Sequence, residues 1–145
     1  MSNAVDDRPT SPAPAIRDTL LQARGHAAAQ FAQDHQPDAL TRRLSAATDE
    51  ALRALWIAHG LNSGLVLAAV GGYGRGELFP HSDVDLLIVV PLKIDGSVRG
   101  RLENFIGACW DIGLTIGQSV RTADECLAEA AGDITIQTSL LDLRW

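Results

Sequence analysis

Two short apolar runs limit what this chain can fold into, because each is bounded by residues that cannot extend it. Leu65–Val70 reads as a buried strand that runs straight into Gly71-Gly72. Asp83–Val90 reads as a second strand, apolar from Val84 apart from Asp85 and closed by Pro91. About a dozen residues separate the two runs, room for one turn of helix near Arg75–Leu78 and a loop through Pro80. Gly113–Arg121 alternates weakly through Leu114, Ile116 and Val120 and is expected to supply a third strand.

The rest of the pattern is helical. Ile16, Leu20, Ala23, Ala27 and Phe31 recur at helix spacing and predict a helix ending near Gln36-Pro37. A second helix follows, with Leu40, Leu44, Ala47, Ala51 and Leu55 on one face, Asp38 as the expected N-cap and Gly60 as the stop. Ser97–Trp110 is amphipathic, with Leu102, Phe105, Ile106 and Cys109 inward, and the stretch from Thr122 reads as two helical pieces broken at Gly132-Asp133. The expected organisation is a Pro- and Ser-rich leader over residues 1–15, helices over 16–60, and an α/β (α+β) core over 61–145. That core is a small mixed sheet of three or more strands flanked by helices. The pattern stops at Trp145 without a cap or a breaker, and a longer parent protein is the expectation.

Composition narrows the function classes. Apolar residues make up 46% of the 145 positions, enough for one real core. The formal charge of -6 argues against a surface that grips nucleic acid generally. The N-terminus lacks the basic start and apolar run of a signal peptide, and no stretch approaches the roughly 20 apolar residues of a membrane span. A cytoplasmic location is expected. Cys109 and Cys126 lack metal or redox spacing and read as buried small apolar residues. His26, His35, His59 and His81 show no zinc spacing, and only His81 lies beside the acidic motif. A dinucleotide fingerprint starting at Gly72 fails at Glu77, and no P-loop is present.

The chemistry concentrates in Val70–Val90, VGGYGRGELFPHSDVDLLIVV. A strand ending in two glycines lets bare backbone approach an anion and aim several N–H groups at it, and a helical turn opening there adds its positive end. Asp83 and Asp85, two apart on a strand, project from one face with α-carbons about 6–7 Å apart. Two carboxylates so close are costly without a cation, and magnesium accepts such oxygens while leaving positions for substrate phosphates. A polyphosphate held by the glycines would meet the metal held by the acids, an arrangement suited to attack on phosphorus. Arg75 could bind phosphate or pin the local structure. Ser82 could contact phosphate or cap a turn, and Tyr73, the only tyrosine, reads as packing.

GGYGRGELFPHSDVDLLIV resembles the signature of the DNA polymerase beta-like nucleotidyltransferase superfamily, in which a Gly-Gly or Gly-Ser turn precedes an Asp-x-Asp strand. Within it, the sequence is most similar to the bacterial PII uridylyltransferase/uridylyl-removing enzyme family, and the resemblance extends to WDIGLTIGQSVRTADECL at Trp110–Leu127. It implies the polymerase beta-like fold and transfer of UMP from UTP to a tyrosine of the nitrogen-regulatory protein PII, with release of pyrophosphate. By position, Gly71 and Gly72 would cradle the triphosphate, with Ser82 and Arg75 as weaker phosphate contacts, while Asp83 and Asp85 would hold two Mg2+ ions. Two departures stand out. Superfamily members place a third carboxylate on the next strand, whereas Gly113–Arg121 has none and Asp111 is the nearest substitute. Gln118 stands where the family block carries a histidine. The family's HD phosphohydrolase and ACT domains have no counterpart in these residues. Other readings are an adenylyltransferase of glutamine synthetase, a small-molecule nucleotidyltransferase, or a non-catalytic nucleotide-binding regulatory module.

Overall fold

The computed structural model describes residues 11–144. Most of the expected leader, residues 1–10, lies outside the described residues, as does Trp145. The first helix, α1 (Ala13–Asp34), begins inside the stretch expected as leader rather than at Ile16. It ends at His35, which takes the left-handed conformation (φ 52°) and returns its N–H to the Phe31 carbonyl. The second helix, α2 (Pro37–Ala58), opens with Pro37 in its first turn, where the missing N–H costs nothing. Gln36 occupies the N-cap, and Asp38 sits in the first turn instead, where its charge complements the helix dipole. Gly60 (φ 64°) closes α2 as expected, and Leu61 N–H reaches back to the Trp56 carbonyl at 3.1 Å.

These two helices form an antiparallel hairpin. Arg43 pairs with Asp34 at 3.0 Å near the connection, and Ala15–Ala23 lie opposite Ala47–Ala54 at the far end. Leu20, Leu44, Ala51 and Leu55 share one core cluster with the sheet, so the helices are part of the same packed body.

The sheet has three strands in the order β1 (Val66–Ala69), β2 (Val84–Val89), β3 (Ile116–Arg121). β1 runs antiparallel to β2, with Val66 opposite Val89 and Ala69 opposite Leu86. β2 runs parallel to β3, with Asp85 opposite Gly117. The mixed sheet flanked by helices is the expected architecture. Between β1 and β2 the single helical turn is α3 (Gly71–Gly74), which starts directly on the glycines and not at Arg75.

The parallel β2–β3 pair requires a crossover, and α4 (Gly96–Asp111) supplies it. Asp95 caps it by accepting from Val98 N–H at 2.8 Å. Phe105 of α4 is fully buried and meets Trp56 of α2 edge to face at 5.1 Å. Val84, Leu86, Ile88 and Ile116 turn one sheet face into this core. The other face is left for Asp85, Leu87 and Val89 by strand alternation. Past β3, α5 (Ala123–Gly132) opens with a Thr122–Glu125 capping box, and α6 (Ile134–Leu141) follows at Asp133. Cys109 is buried as expected, whereas Cys126 on α5 is half-buried, because α5 has no fully buried residue. No helix among the described residues is long and apolar enough to cross a membrane.

Candidate active site

The site forms where β1 ends beside the start of β2. Val70 leaves β1 in extended conformation, and its N–H donates to the Asp85 carbonyl at 3.1 Å, stitching the two strands at this point. Gly71 then turns left-handed (φ 60°), a conformation that L side chains seldom adopt. The first bonds of α3 are Gly74 N–H to the Val70 carbonyl and Arg75 N–H to the Gly71 carbonyl. The N–H groups of Gly71, Gly72 and Tyr73 therefore stand ahead of the helical ladder.

Asp83 immediately precedes β2, and Asp85 is its second residue. Val84 between them is 1% exposed and points into the core, so both acids project from the opposite face, and both are exposed. The Asp85 carboxylate lies between two bare backbones. A β-carbon on Gly71 would stand 3.2 Å from its Oδ2, and one on Gly117 would stand 2.8 Å from its Oδ1. Partial desolvation there pushes the Asp85 carboxyl above its ordinary range, and the charge of Asp83 pushes it further. A hard cation at the pair would favour the charged form of Asp85.

The remaining candidates fall into place around this pair. Arg75 donates from Nε to Glu77 and from Nη1 to Asp142, each at 2.9 Å. It pins the loop to the segment after α6, the second of its two expected roles. Ser82 N–H donates to the Phe79 carbonyl at 3.1 Å, closing the turn that delivers Asp83, and both Ser82 and His81 are exposed. Tyr73 is 3% exposed, packs as expected, and donates its hydroxyl to Asp49. Asp111 ends α4 and lines a hollow with Arg17 and Asp18 of α1. Among the described residues no third acidic, histidine or cysteine side chain completes a metal-holding group with Asp83 and Asp85, so Asp111 does not fill that role here. Just before β3, the Thr115 carbonyl accepts from Val84 N–H at 2.8 Å. Gln118 follows Gly117 and belongs to the face opposite Asp85.

Sequence reasoning passed over Gly117, although a lone glycine inside a strand pattern is a signal of close backbone approach. It also passed over Asp49 and Arg144, which carry no local motif.

A strand, a glycine bend, and a second strand starting at paired carboxylates make up the site, and a family model for the nucleotidyltransferase domain matches residues 50–127, which contain all of it. This chain belongs to the nucleotidyltransferase domain family. The nucleotidyltransferase domain is similar to curated proteins named bifunctional uridylyltransferase/uridylyl-removing enzyme. That of Ralstonia nicotianae is 52% identical over 134 residues, covering 92% of this chain and 16% of the relative. That of Chromobacterium violaceum is 53% identical over 128 residues, covering 88% and 15%. That of Burkholderia mallei is 47% identical over 144 residues, covering 99% and 17%. The chain thus spans about a sixth of the length of these relatives.

Proposed function

We propose that this nucleotidyltransferase domain transfers UMP from UTP to a tyrosine hydroxyl of a PII-type regulatory protein in the cytoplasm, releasing pyrophosphate. The observation that carries the reading is the Asp85 carboxylate set between the bare backbones of Gly71 and Gly117, with Asp83 beside it. In the reaction, the acceptor oxygen bonds to the α-phosphorus while the bond from that phosphorus to the pyrophosphate oxygen breaks.

Each element has a part in that exchange. The N–H groups of Gly71, Gly72 and Tyr73 receive oxygens of the triphosphate tail, which the absence of side chains at 71 and 72 lets approach. The exposed Ser82, one residue before Asp83, is the further phosphate contact that the family resemblance implies. Arg75, committed to Glu77 and Asp142, holds the bend's exit instead. Asp83 and Asp85 offer hard oxygen donors on one face, the Asp85 carboxylate partly desolvated and beside the charge of Asp83, which fits magnesium, an ion held by one or two carboxylates together with substrate phosphates. Bound there, as one ion or two, magnesium supplies charge neutralisation at the phosphates and a more acidic acceptor hydroxyl. The uridylyl preference rests on the names of the similar proteins, and the PII acceptor on the family resemblance of the two sequence blocks alone.

A second reading, a regulatory module that binds nucleotide without turnover, is favoured by the lack of a third carboxylate beside the pair among the described residues. The two part company in one assay on the full-length protein. Pyrophosphate release is followed with magnesium, a PII-type acceptor and each of the four ribonucleoside triphosphates, in the parent and in Asp83→Asn and Asp85→Asn. Transfer with UTP that both substitutions abolish supports the proposal. Turnover with ATP and glutamine synthetase as acceptor would move it to adenylyl transfer, and turnover onto a small molecule to that class. Nucleotide binding without turnover, retained in both variants, supports the module.

A further inference from the structure

The turn that carries Gly71 and Gly72 is too short to hold itself. A helix of one turn with three glycines pays nucleation and backbone entropy for only a few hydrogen bonds. What fixes it comes from the far end of the described chain. The Arg144 backbone forms an antiparallel pair with Ala69, the last residue of β1: Ala69 N–H donates to the Arg144 carbonyl at 2.7 Å, and Arg144 N–H donates back at 3.0 Å. Its guanidinium then reaches over α3. Nε donates to the Gly74 carbonyl at 3.3 Å and Nη2 to the Tyr73 carbonyl at 3.2 Å. These carbonyls close the C-terminal end of the turn, where acceptors lack helical partners and a positive charge is favoured.

The guanidinium is itself held from two sides. It lies 5.2 Å from the Tyr73 ring centroid, and Nη1 pairs with Asp49 on α2. One Asp49 oxygen takes this pair and the other accepts the Tyr73 hydroxyl, so the carboxylate fixes both the cation and the ring it covers. Two residues earlier, Asp142 pairs with Arg75 at 2.9 Å. Its carbonyl lies so close to Gly74 that a β-carbon there would collide with it, and would stand 3.0 Å from the Ala69 carbonyl as well.

We infer that Asp142–Arg144 is a strap that holds the glycine turn in its triphosphate-receiving form, with Arg144 as a positioning residue anchored by Asp49 and Tyr73. The inference rests on the reading of that turn as the triphosphate site. The strap's bonds land on the carbonyl end of α3 and leave the N–H end at Gly71-Gly72 open. None of the strap's own bonds is made to Asp83 or Asp85. The consequence falls on the affinity for the triphosphate more than on the chemical step.

The test uses the full-length protein with Arg144→Lys, Arg144→Gln and Tyr73→Phe, reading KM for the nucleoside triphosphate, kcat and the thermal midpoint. Arg144→Lys retains the charge opposite Asp49 but loses the forked donation to the two carbonyls. It is expected to keep a midpoint near the parent's, raise KM about tenfold and leave kcat within about threefold. Arg144→Gln should raise KM at least as much, and Tyr73→Phe less. Unchanged KM in Arg144→Lys, or a lowered midpoint with KM and kcat both intact, overturns the strap. If Arg144→Gln does not fold, the other two variants decide the matter. A parent that neither binds nor turns over a nucleoside triphosphate overturns the underlying reading and the strap with it. An active parent with insensitive variants overturns the strap alone.

Discussion

The space that Gly117 leaves for the Asp85 carboxylate yields the most quantitative prediction. A β-carbon at position 117 would stand 2.8 Å from Asp85 Oδ1, about 0.6 Å inside the ordinary van der Waals range. Because the obstructing atom ends a rotatable side chain, Gly117→Ala can be accommodated by turning the carboxylate off its rotamer, at a cost of about 0.5–1.5 kcal/mol. The extended strand tolerates alanine, which offsets part of that cost. Stability should therefore change little. Activity should not be spared, since a misplacement of about 1 Å at a reacting centre can cost ~100-fold. Pyrophosphate release from full-length Gly117→Ala is predicted to fall about 10- to 100-fold, with the thermal midpoint within a few degrees of the parent's. Gly107→Ala is the control: it lies on α4 with nothing within 4 Å of its added β-carbon, and it should be stabilising by ~0.5–1 kcal/mol and fully active. Gly117→Ala with parental activity would refute the argument that Asp85 needs the bare backbone opposite it.

Two further predictions concern the frame around the site. Burial pushes the Cys109 thiol up to about 12 and also raises that of Cys126, but only Cys126 is partly exposed, so alkylation mapped by mass spectrometry should label Cys126 first and reach Cys109 only in denaturant. The Thr122 N–H and hydroxyl hold the Glu125 carboxyl below its ordinary range. The folded-state value is depressed, so this contribution to α5 is present above the unfolded carboxyl's pKa and is lost as pH falls through the folded one. Amide exchange in α5 should quicken, relative to the rest of the protein, as pH falls below the ordinary carboxyl range, and Glu125→Gln should remove that extra pH dependence.

The elements that the sequence made legible are those with a strong local cause. The apolar runs before Gly71 and after Asp83 locate β1 and β2, and the amphipathic spacing around Phe105 locates α4 to within a residue at each end. The bend at Gly71 and the same-face acids follow from glycine's freedom and strand alternation, which need no tertiary information. The misplacements have equally specific causes. Propensity argues against three glycines in a helix and so points to Arg75–Leu78, whereas the turn lies on Gly71–Gly74, held there by the strap at Arg144. Asp38 yields the cap to Gln36 because Pro37 fits the first helical turn. Gly117 had a readable signal but no partner until the β2–β3 register placed it opposite Asp85. Asp49 and Arg144 are 95 residues apart, and only the fold brings them to one tyrosine.

The account stands on Asp83 and Asp85 holding a divalent ion over a triphosphate seated at Gly71-Gly72. Crystals of the full-length protein grown with Mn2+ and a non-hydrolysable UTP analogue test this directly through an anomalous difference map. The predicted map has manganese about 2.1 Å from oxygens of both aspartates, with the triphosphate tail against the glycine bend. Manganese bound away from this pair, or a triphosphate seated elsewhere with the aspartates facing only solvent, would contradict it.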